Sequence, residues 1–217
     1  MKAKFGKLTK FILSLLLLGM VFAPSTYVYA MPVTGDTLTS RTTALVEPLS
    51  VSLADFIVSV ENGNSSQIVG LYSEKIFALN VVQQPSGNAG YVATSGYSVT
   101  TQFGMASSYG SIGMLAHNYL AGSNFFNLSS GSEILLVYGD GSTVSYTVSE
   151  IREYQALTPG SVYSNFVNLS DTSQTLTSSD VFYETYGSSG ALILQTCISN
   201  EGNSSWGRLF VIAYQSY

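Results

Sequence analysis

The 217-residue sequence is poor in the residues that form disulfides, metal sites and nucleic-acid surfaces. It has one cysteine and one histidine, which excludes an intramolecular disulfide and a cysteine-rich metal site. Basic residues number 8 against 13 acidic ones, and four lysines fall in the first ten positions. From residue 31 onward the balance is 4 minus 13, or −9, which argues against nucleic acid as a partner because phosphate binding needs clustered cations. No pattern of residues calls for a metal ion or another cofactor.

Residues 1–30 are typical of a secretory leader. Four lysines precede an apolar stretch over residues 11–23, Pro24 then breaks it, and Val28–Ala30 places small residues where a signal peptidase cuts. Counted from Leu8, the apolar stretch has 16 residues, whereas a membrane span needs roughly 20. Two outcomes stay open: cleavage and secretion, or retention as a signal anchor with membrane association through residues 8–23. Either outcome places the remainder outside the cytoplasm.

Residues 31–50 are polar and predict a linker or extended arm, and residues 51–217 predict one domain. Short apolar and β-branched runs alternate there with turn residues, and Gly139-Asp140-Gly141 indicates a hairpin. The absence of strand–helix–strand alternation argues against a doubly wound sheet, and about eight strands favour a closed β-barrel or a sandwich. The predicted strands are 67–72, 75–83, 97–103, 113–116, 132–138, 143–152, 191–197 and 208–214.

Two segments suggest short helices. Residues 52–60 fit either a helix capped by Ser52 or a strand, whereas the run after Ser178-Ser179-Asp180 fits a helix that stops at Gly187. One or two short helices are therefore expected beside the strands.

Three residues carry candidate chemistry: His117, Cys197 and Arg208. Each lies at the edge of a predicted strand, and a ten-residue polar loop, 198–207, separates the cysteine from the arginine. If the last two strands are antiparallel neighbours, Arg208 returns close to Cys197, where a cation favours the thiolate. A histidine within reach would complete a nucleophile with an acid–base partner.

These residues resemble the sortases, the cysteine transpeptidases of bacterial surfaces. Ile193–Cys197 (ILQTC) is compatible with four of the five positions of the family's Thr-Leu-x-Thr-Cys strand end. Arg208 lies 11 residues after Cys197, at the family's usual place. Leu115-Ala116-His117 is similar to the family's apolar-Ala-Gly-His segment without its glycine. Residues 125–134 and 144–148 resemble the segments that follow, so the resemblance covers roughly residues 65–217.

The resemblance implies an all-β fold, a closed eight-stranded sortase-like β-barrel, with the three residues at one end. It also implies cleavage of a Leu-Pro-x-Thr-Gly-like sorting peptide through a thioester on Cys197. The acyl group would then pass to an amine on the cell wall or a surface protein. His117 would transfer protons, Arg208 would stabilise the oxyanion, and Thr196, Trp206 and Asn118 are the residues expected to contact substrate.

Other interpretations of the same residues stay open. The site could serve a hydrolytic thiol peptidase, or the chain could be a non-catalytic extracellular β-domain in which Cys197 is a buried strand residue. Taken singly, Arg208 fits a surface ion pair with Glu201. Met31–Gly35 (MPVTG) resembles a sorting signal with Met in place of Leu. Chance, self-processing or a pseudosubstrate arm lying in the groove would each explain it.

Overall fold

The computed structural model describes residues 51–161 and 163–217. The predicted leader over residues 1–30, the predicted arm over residues 31–50 and the Met31–Gly35 motif lie outside the described residues. Within the described ranges, no helix has the length and apolar character that crossing a membrane requires.

Ten strands account for most of the described chain. They are β1 (Ile68–Ser73), β2 (Phe77–Gln83), β3 (Val99–Phe103), β4 (Ile112–Leu115), β5 (Glu133–Tyr138), β6 (Thr143–Ala156), β7 (Phe166–Asn168), β8 (Asp171–Leu176), β9 (Leu192–Asn200) and β10 (Asn203–Gln215). The helices in the same part of the chain are α1 (Leu53–Val60), α2 (Gly104–Ser107), a 3₁₀ helix (Ala121–Asn127) and α3 (Ser178–Tyr186).

Eight of the strands close into a barrel. Their order is β10-β9-β4-β3-β2-β1-β5-β6, and the pairing of β10 with β6 completes the ring. Most pairs are antiparallel, whereas β2–β3 and β4–β9 are parallel. The closed eight-stranded β-barrel expected from the sequence is therefore confirmed. Closure leaves no exposed edge among these eight strands.

The strands β7 and β8 extend the sheet beyond β6, and the sequence analysis missed both. β7 has three residues, and the first five residues of β8 are exposed. A strand with no buried face carries no apolar alternation, so hydrophobic periodicity could not find it.

Two of the three hydrophobic clusters among the described residues cover opposite faces of the sheet at β9 and β10. Leu192 and Leu194 of β9 belong to the core inside the barrel, whereas Ile193 belongs to a second core on its outer face. α3 contributes Val181 and Tyr186 to the second core. Because strand side chains alternate with a period of two, β9 and β10 are apolar on both faces where they cross the barrel.

Both expected helices are present. Ser52 caps α1 by accepting a hydrogen bond from the Asp55 N–H, which confirms the helical alternative for this segment. The N-cap of α3 is Thr177, directly before the predicted capping residues Ser178-Ser179-Asp180, which lie in the first turn. The helix ends at Gly187 as expected. α2 has four residues and the 3₁₀ helix seven, which is too short for a helical period to stand out in the sequence.

The prediction of a polar loop between Cys197 and Arg208 is wrong. β9 continues to Asn200 and β10 begins at Asn203, so the two strands form one long hairpin. Its turn is Glu201-Gly202, whose φ angles of 49° and 80° fit a two-residue hairpin turn and favour glycine at the second position. The hairpin arms are polar here because they extend past the hydrophobic core.

Candidate active site

Cys197 and Arg208 face each other directly across the β9–β10 hairpin. Residues directly opposite in antiparallel strands have Cβ atoms about 4.5–5.5 Å apart and point to the same side of the sheet. Alternation along β10 places the Arg208 side chain on the same face as Phe210, in the outer core. The hairpin therefore places a guanidinium beside the thiol, as the sequence predicted, although both residues lie within strands and not at strand ends.

His117 joins them from the strand on the other side of β9. β4 pairs parallel to β9 with Leu115 opposite Gln195, and the Ala116 N–H donates to the Gln195 carbonyl at 3.2 Å. Two residues further along each chain come His117 and Cys197. His117, two residues beyond the end of β4, thus forms a row with Cys197 of β9 and Arg208 of β10. We call it the catalytic row after the role that the sequence predicts for these residues.

The catalytic row lines one small cavity. Its walls comprise Val92, Leu115–His117, Gln195–Cys197 and Arg208, and its volume of about 30 Å³ has room for water but not for a peptide residue. Cys197 is half-buried, and it is the free cysteine of this chain. A peptide cannot enter a space of this size, so its scissile carbonyl would have to approach the sulfur from the mouth of the cavity.

The His117 imidazole is 4 % exposed, and its Nε2 atom has no hydrogen-bond partner. Burial lowers the pKa of His117 below its usual 6.5, and a hydrogen bond with the Val92 backbone opposes part of that shift. A neutral imidazole with an available nitrogen is a proton acceptor. Once protonated, the same group is a stronger acid than an exposed imidazolium, because burial disfavours its charged form.

Arg208 is 2 % exposed, which contradicts the interpretation of this residue as a surface ion pair. Its Nη1 atom donates to the Ser205 carbonyl at 3.0 Å and to the Gly207 carbonyl at 2.8 Å. The pairing of β10 with β9 is irregular between Asn203 and Gly207, so these carbonyls lie at a bulge. These two carbonyls hold the guanidinium, which lines the same cavity as Cys197.

Asn118 ties the chain after His117 to the β9–β10 hairpin. Its Nδ2 atom donates to Ser199 Oγ at 2.7 Å and to the Ser204 carbonyl at 3.0 Å. Ser199 follows Cys197 on one arm of the hairpin, and Ser204 precedes Arg208 on the other arm. The amide that the sequence predicts to contact substrate is therefore already bonded to both arms beside the row.

The other two residues expected to contact substrate lie differently. Thr196 is 2 % exposed, its Oγ1 atom has no hydrogen-bond partner, and the side chain lies against Gly122 of the 3₁₀ helix. Trp206 is half-buried on β10 and is not among the described residues that line the cavity. Thr196 thus lines the cavity of the catalytic row, whereas Trp206 lies on β10 two residues before Arg208.

Sequence reasoning missed three contributors to this site: Val92, Tyr119 and Gly122. The Tyr119 ring stacks on the His117 imidazole, with the ring centroids 4.9 Å apart and the planes inclined by 29°. Burial, and then the charge of an ionised Cys197, raise the pKa of Tyr119. No motif marks these positions, and the tyrosine two residues after the histidine was the available signal.

The barrel is similar to several solved sortase structures. Sortase C1 from Streptococcus suis aligns at 16 % identity and a TM-score of 0.46, covering 76 % of this chain and 78 % of that one. Sortase A from Corynebacterium diphtheriae aligns at 14 % identity and a TM-score of 0.46, covering 70 % of this chain and 61 % of that one. Sortase D5 from Clostridium perfringens aligns at 15 % identity and a TM-score of 0.41, covering 77 % of this chain and 90 % of that one.

No protein-family model and no curated protein matches the chain. At these identities the likeness to solved structures concerns the course of the chain, and it says nothing of individual side chains. The chemistry of the site depends on the catalytic row itself.

Proposed function

We propose that this protein is a sortase-type cysteine transpeptidase. It would cleave a Leu-Pro-x-Thr-Gly-like sorting peptide of an exported protein and transfer the acyl part to an amine on the cell wall or a surface protein. The observation that carries the proposal is the catalytic row: a thiol flanked on one side by a buried guanidinium and on the other by a buried imidazole. The sequence resemblance around residues 193–208 supports the same reaction.

In the first half-reaction Cys197 is the nucleophile. The neutral His117 accepts the thiol proton, and the sulfur attacks the peptide carbonyl between Thr and Gly. The carbonyl oxygen becomes an oxyanion that the Arg208 guanidinium stabilises. When the C–N bond breaks, the His117 imidazolium gives its proton to the departing glycine amine, and an acyl thioester remains on Cys197.

The second half-reaction reverses these roles. An incoming amine attacks the thioester carbonyl, His117 takes the proton that the amine loses, and Arg208 again faces the oxyanion. As the C–S bond breaks, the thiolate recovers its proton from His117. The product carries a new amide bond, and the enzyme returns to its starting state without an oxidant, reductant or metal.

The proposed location is outside the cytoplasm, where sorting peptides and acceptor amines occur. This depends on the leader over residues 1–30, whether it is cleaved or retained as an anchor. Fractionation of cells that express the full chain, before and after alkaline extraction, distinguishes a secreted form from an anchored one. Recovery of all the protein in the cytoplasm would contradict the proposed location.

The reaction is tested with the full chain, a sorting peptide and a triglycine amine, followed by mass spectrometry. We expect a ligated peptide and an enzyme heavier by the acyl fragment, and Cys197→Ala should abolish both. His117→Ala should reduce the rate by roughly 10²–10⁴. The matched control is Ser170→Ala, which changes an exposed serine in the turn between β7 and β8.

The outcomes separate the alternatives. Free acid without ligated product, even at high amine concentration, would indicate a hydrolytic thiol peptidase on the same site. The absence of any adduct, together with iodoacetamide reacting with Cys197 no faster than with free cysteine, would indicate a non-catalytic β-domain and refute the proposal.

A further inference from the structure

Tyr119 forms the outer layer over the His117 imidazole. The chain turns after β4, with the Leu120 N–H donating to the His117 carbonyl at 2.9 Å. This turn folds the Tyr119 ring back onto the imidazole, in the stacked geometry of 4.9 Å and 29°. The tyrosine side chain is 40 % exposed, whereas the histidine beneath it is 4 % exposed. The aromatic ring therefore separates the imidazole from solvent.

The same ring also lies near the nucleophile, because it stacks on the imidazole that lines one cavity with Cys197. In agreement with this position, burial first and then the charge of Cys197 raise the pKa of Tyr119. Tyr119 thus borders both partners of the proton transfer while keeping one side open to solvent. A large exposed aromatic residue in this position contributes little to the barrel cores, in neither of which it takes part. Its location suggests a role in the site.

We propose that Tyr119 is a positioning residue, whose ring holds the His117 imidazole beside Cys197 and keeps water from its face. This inference rests on the proposed function of the catalytic row. The stacked ring restricts rotation of the imidazole, and the remaining contacts come from Val92 and the cavity wall. Both effects come from the face of the ring, so a phenylalanine at position 119 should still hold and shield the imidazole, whereas an aliphatic residue should not.

Few ionisable groups complicate the prediction. The groups facing the imidazole across the cavity are Cys197 on β9 and Arg208 on β10, together with Tyr119 itself. No carboxylate is among the described residues that line the cavity. A shift in the pKa of His117 on changing Tyr119 can therefore be assigned to solvent access rather than to a lost charge.

The single histidine makes the test direct. In a full chain without a histidine tag, one imidazole gives the aromatic C–H signals that titrate near neutral pH, and NMR follows its pKa. We expect Tyr119→Leu to move the pKa of His117 upward toward 6.5, and Tyr119→Phe to leave it near the wild-type value. Tyr214→Leu is the matched control, because Tyr214 is 43 % exposed and lies six residues beyond Arg208, roughly 20 Å along β10.

Kinetics supply the second readout. Tyr119→Leu should lower kcat by roughly ten- to a hundredfold, a part of what a positioned acid–base group contributes, and change KM less. Tyr119→Phe should restore most of the rate. If Tyr119→Leu unfolds the protein, Tyr119→Met replaces it in both measurements, because the flexible methionine side chain adapts to irregular space without a ring.

Two results would overturn the inference: an unchanged pKa of His117 in the aliphatic variants, or a phenylalanine variant as impaired as the leucine variant. The NMR titration needs no peptide, so it decides the role of Tyr119 even if wild-type protein transfers nothing. Failure of the transpeptidase proposal and failure of the Tyr119 proposal are therefore distinguishable.

Discussion

Gly122 lies where the 3₁₀ helix passes closest to the catalytic row, and a single methyl group there should disturb the site. A Cβ atom at Gly122 would contact Thr196 Oγ1 and would lie 2.7 Å from the His117 carbonyl oxygen and 2.8 Å from the Ala116 carbonyl oxygen. Two of these three contacts are to backbone, which no change of rotamer relieves. The His117 carbonyl also accepts the Gly122 N–H at 3.0 Å, so the two segments cannot separate without losing that bond.

We therefore expect Gly122→Ala to destabilise the protein by about 1–3 kcal/mol, the usual cost of inserting a methyl group into a packed site. For a domain of this size the melting temperature would fall by roughly 2–12 °C. Activity should fall beyond the loss of folded protein, because relief of the overlap displaces either His117 or the strand that carries Cys197.

Gly160→Ala is the matched control. Gly160 is exposed, and a Cβ atom there would meet no atom within 4 Å. The same substitution should there be neutral or stabilising by up to about 1 kcal/mol, since alanine lowers the entropy of the unfolded chain. The assays are thermal unfolding followed by circular dichroism and peptide transfer measured at a temperature where both variants are folded. A Gly122→Ala protein as stable and active as Gly160→Ala would refute the reasoning.

Three further predictions concern the row and its support. Arg208→Lys should lower kcat by roughly 10²–10³-fold, because a single ammonium cannot donate to the Ser205 and Gly207 carbonyls and also face an oxyanion. Full activity of this variant in the transfer assay would contradict the prediction. Burial lowers the pKa of His117 in the folded protein, so protonation of this residue favours the unfolded state. The free energy of unfolding of the wild type should therefore fall relative to that of His117→Gln as the pH drops below about 6.5, whereas above this pH the difference between the two proteins should be constant. Urea midpoints across this range check the sign, and a difference independent of pH would refute it. Asn118→Ala should lower the free energy of unfolding by about 1–3 kcal/mol because two hydrogen bonds are lost, and Ser199→Ala should lower it less because it removes one of them. If Asn118→Ala leaves stability unchanged and raises KM, the result would instead support the substrate contact predicted from sequence.

Local patterns in the sequence predicted the barrel strands and α3, and left the segment of α1 open as a helix or a strand. They also singled out the three residues of the catalytic row as candidates. Apolar runs such as Leu192–Leu194 can be recognised because a strand buried on both faces has few polar residues. Residue types also limited the chemistry, since a chain with one thiol and one imidazole has few ways to assemble a nucleophile with a proton carrier. The resemblance at residues 115–117 and 193–208 supplied the roles expected of the three residues.

Tertiary structure alone decided what surrounds these residues. The polar ends of the hairpin around Glu201 and the exposed strand β8 bury little, and therefore left no hydrophobic period to detect. Pairing register or a turn decides three features: the bulge carbonyls that hold Arg208, the close backbone approach at Gly122 and the Tyr119 ring over His117. Contacts of this kind join residues by position in space, and spacing along the chain does not encode them.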